Sequence, residues 1–153
     1  MIRQWCHGTV LDFACGCGYG SYLIAKNPDV SKVLGIDYNA TAIEHAKEQF
    51  STPKTIYSTT ALHDIDQQID VMICIETIEH IEDKSYIPNN LNRLKIREVI
   101  ISYPSKKTTH YNHYHYHDLT TKEIDTMLES YKRIDEIDLH RAVKMLRYQR
   151  NEL

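Results

Sequence analysis

No stretch of the 153-residue chain approaches the ~18 consecutive apolar residues of a membrane span, and nothing at its start resembles a secretory signal. A soluble, cytoplasmic protein that does not engage a membrane is therefore expected. An excess of positive charge is also missing: 18 basic residues against 21 acidic ones give a formal net charge of −3 and a pI near 6.3. That balance disfavours nucleic acid as a partner, because such binding rests on neutralising a phosphate backbone. The four cysteines, Cys6, Cys15, Cys17 and Cys74, follow neither zinc-finger nor disulfide spacing and read as reduced thiols. There is no internal repeat and no low-complexity linker. With 42% hydrophobic residues the chain suffices for one domain, 1–153, built on a single sheet with flanking helices.

Glycine is scarce too, five in all, yet three fall together at Gly16, Gly18 and Gly20. They close the run Val10 to Gly20, VLDFACGCGYG, in which a short apolar stretch ends in a carboxylate and breaks into glycines. This is the pattern of a buried parallel strand that delivers its carboxyl end to a ligand. A second such stretch, VLGID, ends at Asp37, where a carboxylate can accept hydrogen bonds from both hydroxyls of a ribose. The spacing decides which nucleoside is meant. A dinucleotide fingerprint, G-x-G-x-x-G, needs glycine where Ser21 stands. Asp12, near the end of the first strand, would repel a pyrophosphate but suits the ammonium group of a methionine moiety. S-adenosylmethionine is the expected cofactor, ahead of a nicotinamide dinucleotide.

The runs VLDFACGCGYGSYLIAK, GIDYNATAIEHAKEQF and IDVMICIETIEHIED resemble the class I S-adenosylmethionine-dependent methyltransferases. A separate segment, NHYHYHDLTTKEI from Asn112 to Ile124, is similar to that family's N-P-Y-H-x-x-x-x-T-x-E-E-[LI] stretch, with His113 in place of the usual proline. Ala14 stands where the family often has the first glycine of its loop. The resemblance implies a Rossmann-like, doubly wound, mostly parallel α/β sheet with an antiparallel C-terminal edge strand. It adds Ala14, Tyr38, Ile75 and Glu76 to Asp12, the three glycines and Asp37 as cofactor-binding positions. The family's adenine-side carboxylate has no clear counterpart; the alignment puts Thr60, Ala61 or Leu62 near it, and Ala61 and Leu62 are taken as cofactor positions. Members usually carry helices before the first strand. Only seven residues precede it here, so an open pocket is expected, with apolar surface covered by a second copy in a homodimer.

The elements follow in the order β-α-β-α-β-β-α-β-α-β-β. Asn39 is placed to cap a helix with Ile43, Ala46 and Phe50 on one face, and Thr55 to Ser58 forms a third strand. Pro88 predicts a kink or a late start in the helix between Glu82 and Lys95. Thr120 and Glu123 form a capping box, and Ile124, Met127, Leu128 and Tyr131 predict an amphipathic helix beyond it. Arg133 to Leu139 and Ala142 to Gln149 read as a terminal hairpin, although Arg141, Lys144, Arg147 and Arg150 at three-residue spacing also suit a helical stripe.

The sulfonium of S-adenosylmethionine is already a strong electrophile, so the protein mainly has to hold acceptor and methyl in line. A base is needed only for a weakly acidic acceptor, and the candidates are His80 and His115, whose imidazoles titrate near neutrality. With Tyr114 they make up the catalytic set. His113, His115 and His117 alternate and could share a face on extended chain, but methyl transfer needs no metal and none is expected. Ile75-Glu76-Thr77 is not the [DNS]-P-P-[YFW] of base-amino methyltransferases, and no Pro-Cys nucleophile appears. A small-molecule acceptor is expected, with a non-catalytic S-adenosylmethionine-binding module or activator subunit as the alternative.

Overall fold

A computed structural model describes residues 2–140 and 142–151. Among these residues seven strands make a mixed sheet in the order β3 (Thr55–Ser58), β2 (Val30–Ile36), β1 (Gly8–Phe13), β4 (Val71–Ile75), β5 (Glu98–Pro104), β7 (Val143–Arg150), β6 (Tyr131–His140). The chain divides into two compact units, 1–73 and 74–153, which are taken in turn.

The first unit begins with a single helical turn, α1 (Ile2–Trp5), and continues through β1 (Gly8–Phe13), α2 (Tyr19–Ala25), β2 (Val30–Ile36), α3 (Ala40–Gln49) and β3 (Thr55–Ser58). β1 and β2 run parallel with Val10 opposite Val33 and Leu11 opposite Leu34, and β2 pairs in parallel with β3. Val10, Leu11, Val33 and Leu34 are all buried, which is why these runs are continuously apolar instead of alternating. α3 starts where expected, since the Asn39 side chain accepts the amide proton of Ala42 at 3.2 Å. Ile43 and Ala46 of this helix enclose the Tyr57 ring of β3, and Phe50 packs beside them.

The second unit carries α4 (Tyr86–Leu94), β5 (Glu98–Pro104), α5 (Thr121–Met127), β6 (Tyr131–His140) and β7 (Val143–Arg150). Pro88 lies in the first turn of α4, so the helix starts late and is not kinked; proline is tolerated there because its missing N–H would have no partner in the helix anyway. α5 opens on the complete Thr120–Glu123 capping box but stops at Met127. Tyr131, expected on the same helix face, instead begins β6. Its ring is buried, and its hydroxyl donates to the Ile96 carbonyl at 2.7 Å, an anchor that spacing along a helix cannot reveal.

The C-terminal segment resolves as the hairpin. β7 runs antiparallel to β5, with Ile101 opposite Leu146, and antiparallel to β6, so it lies one place in from the edge and β6 is outermost. The basic residues do not form a stripe: Arg147 donates from Nε and Nη2 to Glu98 Oε2 at 2.9 and 2.8 Å, while Lys144 pairs with Glu136. Arg141 lies outside the described residues. Among the described residues, no helix is long and apolar enough to cross a membrane.

Candidate active site

In the first unit the glycine loop is tied together by the two carboxylates that flank it. Asp37, just past β2, accepts the Gly16 amide on Oδ2 and the Asn39 amide on Oδ1, both at 2.9 Å. One side chain therefore fixes both the loop after β1 and the entry to α3. Asp12 is buried at 5% exposure, and its Oδ2 accepts the Ser21 hydroxyl at 2.5 Å. Burial pushes its carboxyl up to about 6; the Ser21 hydrogen bond opposes the rise and the nearby Asp37 charge adds to it. Ser21 thus has a use of its own, as donor to this carboxylate.

The loop backbone is left-handed at Ala14 (φ 59°), Gly16 (φ 53°) and Gly18 (φ 86°). Gly18 is required on two counts. Its φ is costly for any other residue, and a Cβ there would lie 2.6 Å from the Ala46 Cβ and 3.0 Å from the Tyr57 ring. The Tyr57 hydroxyl faces the Gly18 and Phe50 carbonyls at 3.1 and 3.0 Å, holding the loop down on β3. Gly16 is different, since a Cβ there would meet nothing within 4 Å. That open space at a positive-φ backbone, together with the buried carboxylate of Asp12, fits a ligand carrying a cationic group. Tyr38 is 94% exposed, and Gly20 lies close enough to Asp12 that a Cβ there would stand 3.5 Å from its Oδ2. Ala61 precedes a single 3-10 turn, Leu62–Asp64, in which Leu62 is buried.

The second unit gathers the remaining candidates. Ile75 ends β4; Glu76, at φ 47°, accepts the Ser102 hydroxyl at 2.8 Å, and its amide donates to that hydroxyl oxygen at 3.0 Å. A 3-10 turn, Ile78–His80, follows. His80 Nδ1 lies 2.8 Å from the Tyr114 carbonyl, so Tyr114 enters through its backbone while its ring is 78% exposed. The rings of His80 and His115 meet edge to face with centroids 4.5 Å apart. His115 Nδ1 lies 2.6 Å from the Thr108 hydroxyl, and burial together with the neighbouring His80 lowers its pKa. The alternating histidines do not share a face, because residues 109–115 run through turns: His113 is exposed and His117 Nε2 lies 3.0 Å from the Glu82 carbonyl.

Three residues that the sequence did not single out complete this cluster. Glu79 is 2% exposed, its Oε2 has no hydrogen-bond partner among the described residues, and burial pushes its carboxyl up to about 7. Asp118 accepts the Thr108 and Thr109 amides at 2.6 and 3.1 Å and the Thr109 hydroxyl at 2.6 Å, which holds it near pKa 2 and fixes Thr108 beside His115. The available signal for Glu79 was the E-x-x-E-H spacing itself; for Thr108 and Asp118 none existed, because their partners come from the fold of the loop.

Residues 7–132 match the model of the methyltransferase domain family. The mitochondrial ubiquinone biosynthesis O-methyltransferase of Saccharomyces cerevisiae is 37% identical over 84 residues, 52% of this chain and 27% of that protein. A Mycolicibacterium smegmatis protein, named as a probable S-adenosylmethionine-dependent methyltransferase, is 28% identical over 141 residues, 84% of this chain and 53% of that one. The chain thus spans about half or less of the length of these two relatives. Among solved structures, the magnesium protoporphyrin IX methyltransferase of Synechocystis PCC 6803 with bound S-adenosylhomocysteine superposes with a TM-score of 0.79 at 18% identity, covering 98% of this chain and 80% of that one. The N-methyltransferase NodS of Bradyrhizobium japonicum WM9 with bound S-adenosylhomocysteine gives 0.76 at 14% identity, over 95% and 79%.

Proposed function

The chain belongs to the methyltransferase domain family, with the Rossmann-like fold of class I S-adenosylmethionine-dependent methyltransferases, and from this premise we propose that it moves a methyl group from S-adenosylmethionine to a small-molecule acceptor by in-line displacement. The observation that carries the reading is the pairing of a buried Asp12 carboxylate with a positive-φ Gly16 that faces open space. The bound cofactor would supply the electrophilic methyl group. Asp12 offers a carboxylate to the methionine ammonium, Gly16 lets the ligand lie against the loop backbone, and Asp37 has lone pairs left for the ribose hydroxyls while it holds the Gly16 amide. Ala14, Gly18 and Gly20 shape the same loop. Tyr38, Ala61, Leu62, Ile75 and Glu76 are proposed as further cofactor contacts on the family alignment.

On the acceptor side we assign His80, His115 and Tyr114. Support comes from the way this segment is held: the Tyr116 amide donates to the Glu79 carbonyl at 2.9 Å, and His80 is fixed against Tyr114. The exposed rings of Tyr114 and Tyr116, on the segment that also carries His115 and His117, offer flat apolar faces and hydrogen-bonding groups, which suits a small polar or aromatic acceptor.

Titration calorimetry with S-adenosylhomocysteine tests the cofactor half. Asp37→Ala removes charged hydrogen bonds worth roughly 1.5–3 kcal/mol each before water compensates, so affinity should fall at least tenfold. Unchanged affinity would sink the ribose assignment. Tyr114→Ala with His115→Ala should leave cofactor affinity nearly intact and slow methyl transfer across an acceptor panel. Cofactor binding without turnover of any acceptor would point to the binding-module alternative.

A further inference from the structure

We propose that Glu79, His80 and His115 form a binding site for a divalent transition-metal cation. One donor atom from each of the three lies within 4.8 Å of the others. Ligand atoms around a tetrahedral ion with bonds of ~2.0–2.2 Å stand roughly 3.3–3.5 Å apart, so closing on an ion needs a contraction of about 1–1.5 Å, within the reach of small side-chain rotations. Glu79 gives the independent reason to expect a ligand. Native proteins rarely leave a buried carboxylate oxygen without a partner, and Oε2 of this 2%-exposed side chain has none among the described residues.

Both imidazoles are held as metal ligands are. A carbonyl oxygen can only accept, so the 2.8 Å contact between His80 Nδ1 and the Tyr114 carbonyl puts the proton on Nδ1 and leaves the Nε2 lone pair available. His115 has its Nδ1 2.6 Å from the Thr108 hydroxyl, which can accept in the same way, and Asp118 in turn anchors the Thr108 backbone. Outer partners of this kind fix the tautomer and orientation of ligating histidines. The two ligand-bearing segments are also joined by the hydrogen bond from the Tyr116 amide to the Glu79 carbonyl.

The donor set chooses the ion. Two neutral imidazole nitrogens and one carboxylate suit Zn²⁺, Mn²⁺, Fe²⁺ or Co²⁺, whereas Mg²⁺ and Ca²⁺ prefer oxygen donors. Three protein ligands leave at least one position open for water or for an oxygen of a bound molecule. This site departs from the expectation of no metal, which rested on methyl transfer needing none; of the alternating trio His113, His115 and His117, only His115 takes part. The proposal goes beyond the methyl-transfer reading and stands without it, since it needs no cofactor.

The test is titration of the full, chelator-treated chain with Co²⁺, followed by visible absorption, and with Zn²⁺ by calorimetry, both without S-adenosylmethionine. We expect one equivalent of Co²⁺ with a d–d band and no thiolate charge-transfer band, displaced by Zn²⁺ but not by millimolar Mg²⁺. His115→Ala and Glu79→Gln should each weaken binding about a hundredfold, Asp118→Asn about tenfold, and His113→Ala not at all. Exposed His80→Ala serves beside Glu79→Gln should the buried variant fail to fold, with circular dichroism as the check. Binding of less than one equivalent, affinity undiminished from the parent in the His80→Ala and His115→Ala variants, or a thiolate band would overturn the site. Success or failure here leaves the S-adenosylhomocysteine titration of Asp37→Ala to decide the cofactor reading separately.

Discussion

Replacing Asp12 by asparagine should make the protein more stable at neutral pH and worse at binding its cofactor. Asp12 is 5% exposed and its carboxyl is raised from 3.8 to about 6, chiefly by burial. A carboxyl whose folded pKa exceeds its unfolded value binds a proton more tightly in the native state. Its favourable contribution is complete below pH 3.8 and is lost as pH rises through about 6. At ~1.4 kcal/mol per pKa unit, a rise of two units makes ionised Asp12 a burden of about 3 kcal/mol at pH 7.5. Asparagine keeps the size and an oxygen to accept the Ser21 hydroxyl, and it carries no charge. Urea unfolding at pH 7.5 should therefore show a gain of about 1–3 kcal/mol, or a midpoint roughly 0.5–1.5 M higher. The gain should vanish near pH 4, where the native aspartate is already protonated. Calorimetry at pH 7.5 should show S-adenosylmethionine affinity reduced about tenfold or more, since the charge-assisted bond to the ammonium proposed for Asp12 would be lost. A variant no more stable than the parent at pH 7.5, or one whose advantage persists undiminished at pH 4, would refute the assignment of a buried, ionised carboxylate.

The two left-handed loop glycines should separate under mutation. Gly18→Ala, with a Cβ 2.6 Å from Ala46, should cost about 3 kcal/mol in urea unfolding, whereas Gly16→Ala should cost only ~1 kcal/mol for its φ and instead weaken S-adenosylhomocysteine binding in calorimetry. Arg147→Leu removes both hydrogen bonds to a Glu98 side chain that is 11% exposed and should cost about 3–5 kcal/mol; the double replacement with Glu98→Met should recover most of that in thermal unfolding. Thr120→Ala breaks the capping box of α5 and should lower stability by ~1 kcal/mol, measured as a small drop in urea midpoint.

The features legible in the sequence are those whose signal is local. Gly16, Gly18 and Asp37 declare themselves by spacing after two apolar runs, and Asn39, Thr120 and Glu123 by their offsets from the helices they cap. Features fixed by contacts distant in sequence stayed hidden. Nothing near Asp37 says that it holds Gly16, and nothing near Tyr131 says that its hydroxyl reaches Ile96 and draws it into a strand. The histidine-rich segment misleads for the same reason. Its alternation implies extended chain, but the turns set by Asp118 and Asn112 send His115 to His80 and leave His113 exposed.

The outermost position of β6 bears on how copies of this protein behave when crowded. An uncovered edge strand offers unpaired amides and carbonyls to any other extended chain, and long apolar edges seed aggregates. β6 carries Lys132, Arg133, Asp135, Glu136 and Asp138 within ten residues, and several are already engaged: Arg133 with Asp125 and Glu136, Asp135 with Arg147. A second strand arriving at this edge would have to strip water from these charges and disturb their pairs before gaining a ladder of hydrogen bonds. The same residues that settle the hairpin against β7 therefore act as a guard against fibrous self-association, and neutralising Lys132, Glu136 and Asp138 together should expose that tendency as faster growth of thioflavin signal on mild heating.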